Sequence, residues 1–195
     1  MGKHTTSLWR LVTKLLSVPE VARLRQIVQV SPLEYAALVT FDQQLGGPSM
    51  GVLSANNCGR YETADRDVFR PLQYCSMYLR ADHTTREWTA RETVHMAGLH
   101  LESLIKRVGS VGPLPLGTAL RHILVRPKLD PVLWQQMDDF SKVYNAAKHT
   151  VDHAKDTHLF SIEDAVVAYL IARQLGAQLY PLVRLKTDLA LLAAV

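Results

Sequence analysis

The segment Tyr144-Asn145-Ala146-Ala147-Lys148-His149 holds the densest chemistry in the chain, and a second polar cluster, Asp152, His153, Asp156 and His158, follows at once. At about 100° per residue along a helix, Asn145, His149, Asp152, His153 and Asp156 share one face. Two histidines four residues apart, with carboxylates at the third and seventh positions, offer a ligand set to a divalent metal. A solvated face opposite an apolar stripe, which any bundle helix shows, is the preferred reading of that spacing, and the expectation is that no metal or other cofactor is needed. Imidazole titrates near neutrality, so His149 can act as a general acid or base, or simply lie on the surface near a helix end. Glu92 and His95 have the Glu-x-x-His spacing of di-iron bundles, with His100 and Glu102 on the same helix. A di-iron site needs that spacing twice, and no second copy occurs. Glu92, His95 and Glu102 fall off the apolar stripe and read as exposed, whereas His100 flanks it and reads as partly buried. Lys106, Arg107, Arg121, His122, Arg126 and Lys128 cluster around a connector and a short helix. Folded back on a bundle, they form a basic patch suited to a phosphate backbone, or a solvated basic surface. No glycine-rich phosphate loop, GxSxG elbow or HExxH is present.

Several runs of this sequence resemble stretches of a known group of proteins. Asn145 to His149, Phe160-Ser161-Ile162-Glu163-Asp164-Ala165 and Tyr169-Leu170-Ile171-Ala172-Arg173-Gln174-Leu175-Gly176 are similar to the C-terminal half of HEPN-like helical proteins. His100-Leu101-Glu102, Leu104-Ile105-Lys106 and Leu116-Gly117 resemble the earlier helices of that group, so that the likeness spans roughly residues 85–180. It implies an all-α bundle that often dimerises and, in many members, a metal-independent ribonuclease. That chemistry uses an arginine, a polar residue directly after it, and a histidine five residues after the arginine. Asn145 matches the polar position and His149 the histidine, but Tyr144 stands where the arginine belongs. A guanidinium binds the scissile phosphate through paired hydrogen bonds and stabilises charge developing there; a phenol cannot. Three outcomes follow: Lys148 or Arg173 supplies the cation, the domain binds RNA or a nucleotide without cutting it, or it is a structural relative that has lost catalysis. The resemblance also implies a bacterial stress, defence or toxin–antitoxin setting and a homodimer.

Positioning these residues falls to helices, because helix start signals recur and strand signals do not. Ser7 reads as the cap of a helix to about Ser17, and Pro19 opens another to Val30. Ser31-Pro32-Leu33-Glu34 reads as a capping box with proline at its first helical position, starting a helix to about Leu45. Gly46-Gly47-Pro48 ends it. A further helix is expected over Ala64 to Leu79, bent or split by Pro71. Thr84-Thr85-Arg86-Glu87 reads as a second capping box, opening a helix with its stripe at Val94, Ala97, Leu101, Leu104, Ile105 and Val108. A connector at Gly109 to Gly117 and a short helix, Leu116 to Val125, come next. Asp130-Pro131 opens the helix bearing Leu133, Met137, Phe140, Tyr144, Ala147 and Val151; Tyr144 therefore also reads as core. Ser161 caps a last helix, kinked by Pro181. The sum is an all-α antiparallel helical bundle of HEPN-like type over residues 61–195, with an N-terminal helical extension over 1–60, packed as one compact unit.

Bulk properties agree. Hydrophobic residues make up 48% of the 195 and charged ones 21%, an ordinary globular balance that argues against disorder. The net charge of +4 permits an RNA partner without demanding one. Cys58 and Cys75 lack CxxC spacing, so neither a zinc ribbon nor a disulfide scaffold is expected, and Cys75 reads as a buried thiol in a reduced, cytoplasmic setting. Met77, Met96 and Met137 read as core fillers. Apolar runs are too often interrupted by charge for a signal peptide or a membrane span. The apolar stretch Leu189 to Val195 suits packing against a protein partner, which makes a non-catalytic oligomerisation module one competing reading; a metal-dependent bundle hydrolase using His149, Asp152, His153 and Asp156 is the other.

Overall fold

Eight α-helices and no strand make up the described residues of the computed structural model, which are 4–50, 65–149 and 160–186. They are α1 (Thr5–Leu15), α2 (Val18–Gln29), α3 (Tyr35–Gln44), α4 (Arg66–Arg80), α5 (His83–Gly109), α6 (Leu116–Leu120), α7 (Pro131–His149) and α8 (Ile162–Leu179). The all-α helical bundle is as expected from the sequence. No helix among them is long and apolar enough to cross a membrane.

Local chemistry explains most boundaries. Ser17 and Glu20 form a reciprocal capping box at α2, with the Ser17 amide donating to Glu20 Oε2 at 2.7 Å. Asp130 Oδ1 accepts from the amides of Val132 and Leu133, both at 2.9 Å, and Pro131 takes the first position of α7. Ser161 and Asp164 cap α8 in the same reciprocal way.

Other boundaries moved, each because a distant group intervened. α3 starts at Tyr35 rather than after Ser31. Leu33 is buried and its carbonyl accepts from Arg86 Nη1 at 2.6 Å, which holds this stretch against the start of α5 instead of in a helix. At α5 the cap is Asp82, which accepts from the Thr85 amide at 3.1 Å. α6 stops at Leu120 rather than Val125, and the Leu120 carbonyl accepts from Trp134 Nε1 at 3.1 Å. α4 runs unbroken through Pro71, with Val68, Leu72, Cys75 and Leu79 all buried along it. Pro181 lies in a short 3-10 turn after α8.

α5 is the spine. α4 returns on it as an antiparallel hairpin through a two-residue connector, and α6, α7 and α8 also pack on it. α8 is buried on every side from Asp164 to Arg173, the pattern of a central helix. The first-half helices join the same core, which runs contiguously from Leu8 to Tyr180. Trp9 Nε1 donates to Glu163 at 2.6 Å, and His4 stacks on Phe160 at 5.1 Å. Asp42 on α3 makes a buried ion pair with Arg173 on α8 and accepts from the Tyr169 hydroxyl at 3.2 Å. Gly46 and Gly47, both at positive φ, turn the chain so that the Gly46 carbonyl also meets Arg173.

Three side chains depart from expectation. Met77 is 53% exposed rather than core, because it lies on the face of α4 turned from α5. Glu102, expected at the surface, is buried, and His100 is wholly enclosed.

Candidate functional site

The last turns of α7 have an inner and an outer face. Tyr144 is the centre of the inner one, fully buried and pressed on Gly98 of α5, where a Cβ would lie 2.0 Å from the ring. Its hydroxyl donates to Glu102 Oε2 at 3.0 Å. The other oxygen of Glu102 accepts from Lys106 Nζ at 2.7 Å, and the Leu116 amide donates to Oε2 at 3.2 Å. Lys148 Nζ stands 3.9 Å from Glu102 and 5.5 Å from the centre of the Tyr144 ring. His95 stacks on the same ring at 5.8 Å. Burial works to raise the Glu102 carboxyl, but the hydrogen bonds from Lys106 and Tyr144 and the charges of Lys106 and Lys148 outweigh it, leaving it below its ordinary range. Burial first, then the charge and hydrogen bond of Glu102, push the Tyr144 phenol upward. Tyr144 is thus a neutral donor to a carboxylate.

On the outer face, Asn145 and His149 are exposed and Lys148 is half-buried between the faces. Arg91 Nε donates to the Ala147 carbonyl at 2.7 Å, satisfying one of the acceptors at the end of α7. Asn145 looks across to α6 at Gly117. Arg121, just beyond α6, donates from Nη1 to the Gly117 carbonyl at 2.8 Å and from Nη2 to Asp138 Oδ1 at 2.6 Å. Lys142 sits 3.1 Å from both Asp138 and Asp139, and Lys14 of α1 is 3.7 Å from Asp139.

The basic residues singled out in the sequence each have a neighbour. Lys106 holds Glu102, and Arg107 pairs with Asp65 and Asp67. Lys128 Nζ donates to the Val108 carbonyl at 2.6 Å near the end of α5. Arg126 lies over the Trp134 ring at 4.7 Å, so that aromatic face is already covered. Arg121 therefore borders Asn145, while Lys106 is turned to Glu102 and Arg107, Arg126 and Lys128 are engaged elsewhere. The Arg173 guanidinium is committed to Asp42 and the Gly46 carbonyl inside the fold.

Asp152, His153, Asp156 and His158 lie outside the described residues, as do Cys58 and the apolar stretch Leu189 to Val195. Among the described residues no group of three or more His, Cys, Asp or Glu is arranged to hold a metal ion. Glu92 and His95 face each other at 3.6 Å as a simple i, i+3 pair. Cys75 is buried, its thiol donating to the Thr93 carbonyl at 3.4 Å.

Sequence reasoning placed Glu102 at the surface and gave no role to the close approach of Gly98 and Gly117 to α7. A glycine inside a helix costs about 1 kcal/mol relative to alanine, so Gly98 within the longest helix was the available signal for a close approach. Compared with family models, curated proteins and solved structures, the chain matches none.

Proposed function

We propose that this chain is a HEPN-like domain that binds single-stranded RNA without cutting it. One observation carries the reading. At the position where the resembling ribonucleases place their phosphate-binding arginine, Tyr144 is buried and gives its hydroxyl to Glu102. The motif's polar residue and histidine, Asn145 and His149, remain exposed on the same helix, one turn apart. A surface that keeps the RNA-facing residues while its cation is replaced by a core phenol favours binding over catalysis. The reading includes a homodimer in a stress, defence or toxin–antitoxin setting, which rests on the resemblance, and a cytoplasmic location, which rests on the cysteine usage.

A second reading, a protein-interaction module, draws on Ile123, Leu124 and Val132, large apolar side chains left exposed around the connection from α6 to α7.

The test is a gel assay of the purified protein with labelled single-stranded RNA in chelator, beside His149→Ala. The expected result is a salt-sensitive shift with the RNA intact. Metal-independent cleavage that disappears in His149→Ala would refute the non-cutting reading and establish an active nuclease. No shift even at low salt would remove RNA and favour the interaction module, whose own signature is a stable oligomer in light scattering.

A further inference from the structure

A motif that has lost its arginine leaves Asn145 in need of a cation, and the fold brings one to it from outside the motif. Gly117 is buried where α6 crosses α7. A Cβ built there would lie 3.4 Å from Arg121 Nη1, 3.9 Å from Ser141 Oγ and 4.0 Å from Asn145 Nδ2. The Arg121 Nη1 and Asn145 Nδ2 atoms therefore lie no more than about 7 Å apart, a span that one phosphate group can bridge with a different oxygen on each.

Arg121 is also held in place. The Gly117 carbonyl and Asp138 each accept one of its N–H groups, from Nη1 and Nη2. A guanidinium has five N–H donors in a fixed fork, so donors remain beyond these two, and the side chain is 61% exposed. Asp138 does not cancel the charge, because Lys142 shares that carboxylate at 3.1 Å. Asp139 beside it is shared in turn by Lys142 at 3.1 Å and Lys14 at 3.7 Å, and Glu102 is engaged by Lys106, Tyr144 and Lys148. Charge at this rim is positive.

We infer that Arg121, reaching from the end of α6, supplies beside Asn145 the guanidinium that the motif lacks at Tyr144, and that the pair holds one phosphodiester of single-stranded RNA. This rests on the RNA-binding reading above. Its particular content is that one arginine, distant in sequence from the motif and anchored by Asp138, makes a phosphate contact that the other basic residues do not replace. A fork of donors already oriented by two acceptors binds an anion with little ordering left to do.

Fluorescence anisotropy with a labelled oligouridylate RNA, measured across a range of salt, tests this. Arg121→Gln should weaken binding about tenfold at low salt. It should also lower the slope of log affinity against log salt by about 0.7, the loss of one phosphate contact on a single strand. Arg121→Lys should recover only part of the affinity, since it restores the charge without the fork. Asp138→Asn, which keeps a side-chain oxygen to accept from the fork but removes the competing negative charge, should tighten binding. Arg23→Gln, which removes the same charge from the exposed face of α2, should change neither affinity nor slope. Wild-type binding with an unchanged slope in Arg121→Gln would overturn the inference and leave the RNA reading standing. Asp138→Asn weakening binding as much as Arg121→Gln would mark the two as a structural pair and overturn it as well. Absence of salt-dependent binding by the wild type would end both.

Discussion

Acidification from pH 7.5 to 4 should cost this fold stability at one identifiable side chain, His100. Its ring is wholly buried, with Nδ1 donating to the Val68 carbonyl at 2.8 Å and Nε2 lying 3.4 Å from the Tyr180 hydroxyl. Gly176 packs so closely on it that a Cβ there would lie 2.4 Å from Nε2. Burial lowers its pKa to about 4 from the ordinary 6.5; the nearby Arg173 charge acts in the same direction, against the Val68 carbonyl. Above pH 6.5 the ring is neutral in both folded and unfolded chains, and its contribution is complete. As the pH falls from 6.5 towards 4, the unfolded chain takes up a proton that the folded one refuses, and stability falls by about 1.4 kcal/mol per unit. The loss amounts to about 3 kcal/mol and levels off below pH 4. Urea denaturation of the wild type and of His100→Gln across this range isolates it, because every other titrating group is common to both. The variant should start less stable at pH 7.5, through lost packing, and the two curves should converge by about 3 kcal/mol at pH 4. Parallel curves would refute the reasoning and mean that the ring is hydrated or protonated in the folded state.

Two further substitutions test the packing that presents the site. Gly98→Ala drives a methyl into the Tyr144 ring, whose hydroxyl is fastened to Glu102, and should cost about 1–3 kcal/mol, read as a fall in Tm. An unchanged Tm would mean that α5 and α7 separate freely, against the close approach described above. Asp42→Ala strands the buried Arg173 guanidinium and should cost about 3–5 kcal/mol in urea denaturation. A loss below about 1 kcal/mol would show that α3 is not held to α8 by this pair.

The site was legible only in part. Tyr144 sits on an apolar stripe, so its burial followed from periodicity alone. Glu102 did not, because a stripe marks the side of a helix that faces the largest neighbour and says nothing about smaller ones. Glu102 points at α6 and α7, where an amide, a hydroxyl and two ammonium groups converge on it. Arg121 was recognised as basic, but nothing in its spacing placed it beside Asn145, twenty-four residues on. The cations of the sequence cluster divide among separate partners because each meets a different acceptor once the connector folds back.

What the sequence determined by itself is what local physics decides: all-helical structure, the caps at Ser161 and Asp130, the apolar faces of α5 and α7, and a tyrosine rather than a cation directly before Asn145. These depend on neighbours within a turn or two, where hydrogen bonding and periodicity act over short distances. Tertiary structure alone decided that α3 begins late, that Arg173 is locked to Asp42, that Glu102 is enclosed, and that Arg121 and Asn145 meet across Gly117. Each of these is a meeting of groups far apart in the chain, and only the packing of whole helices sets which of them face one another.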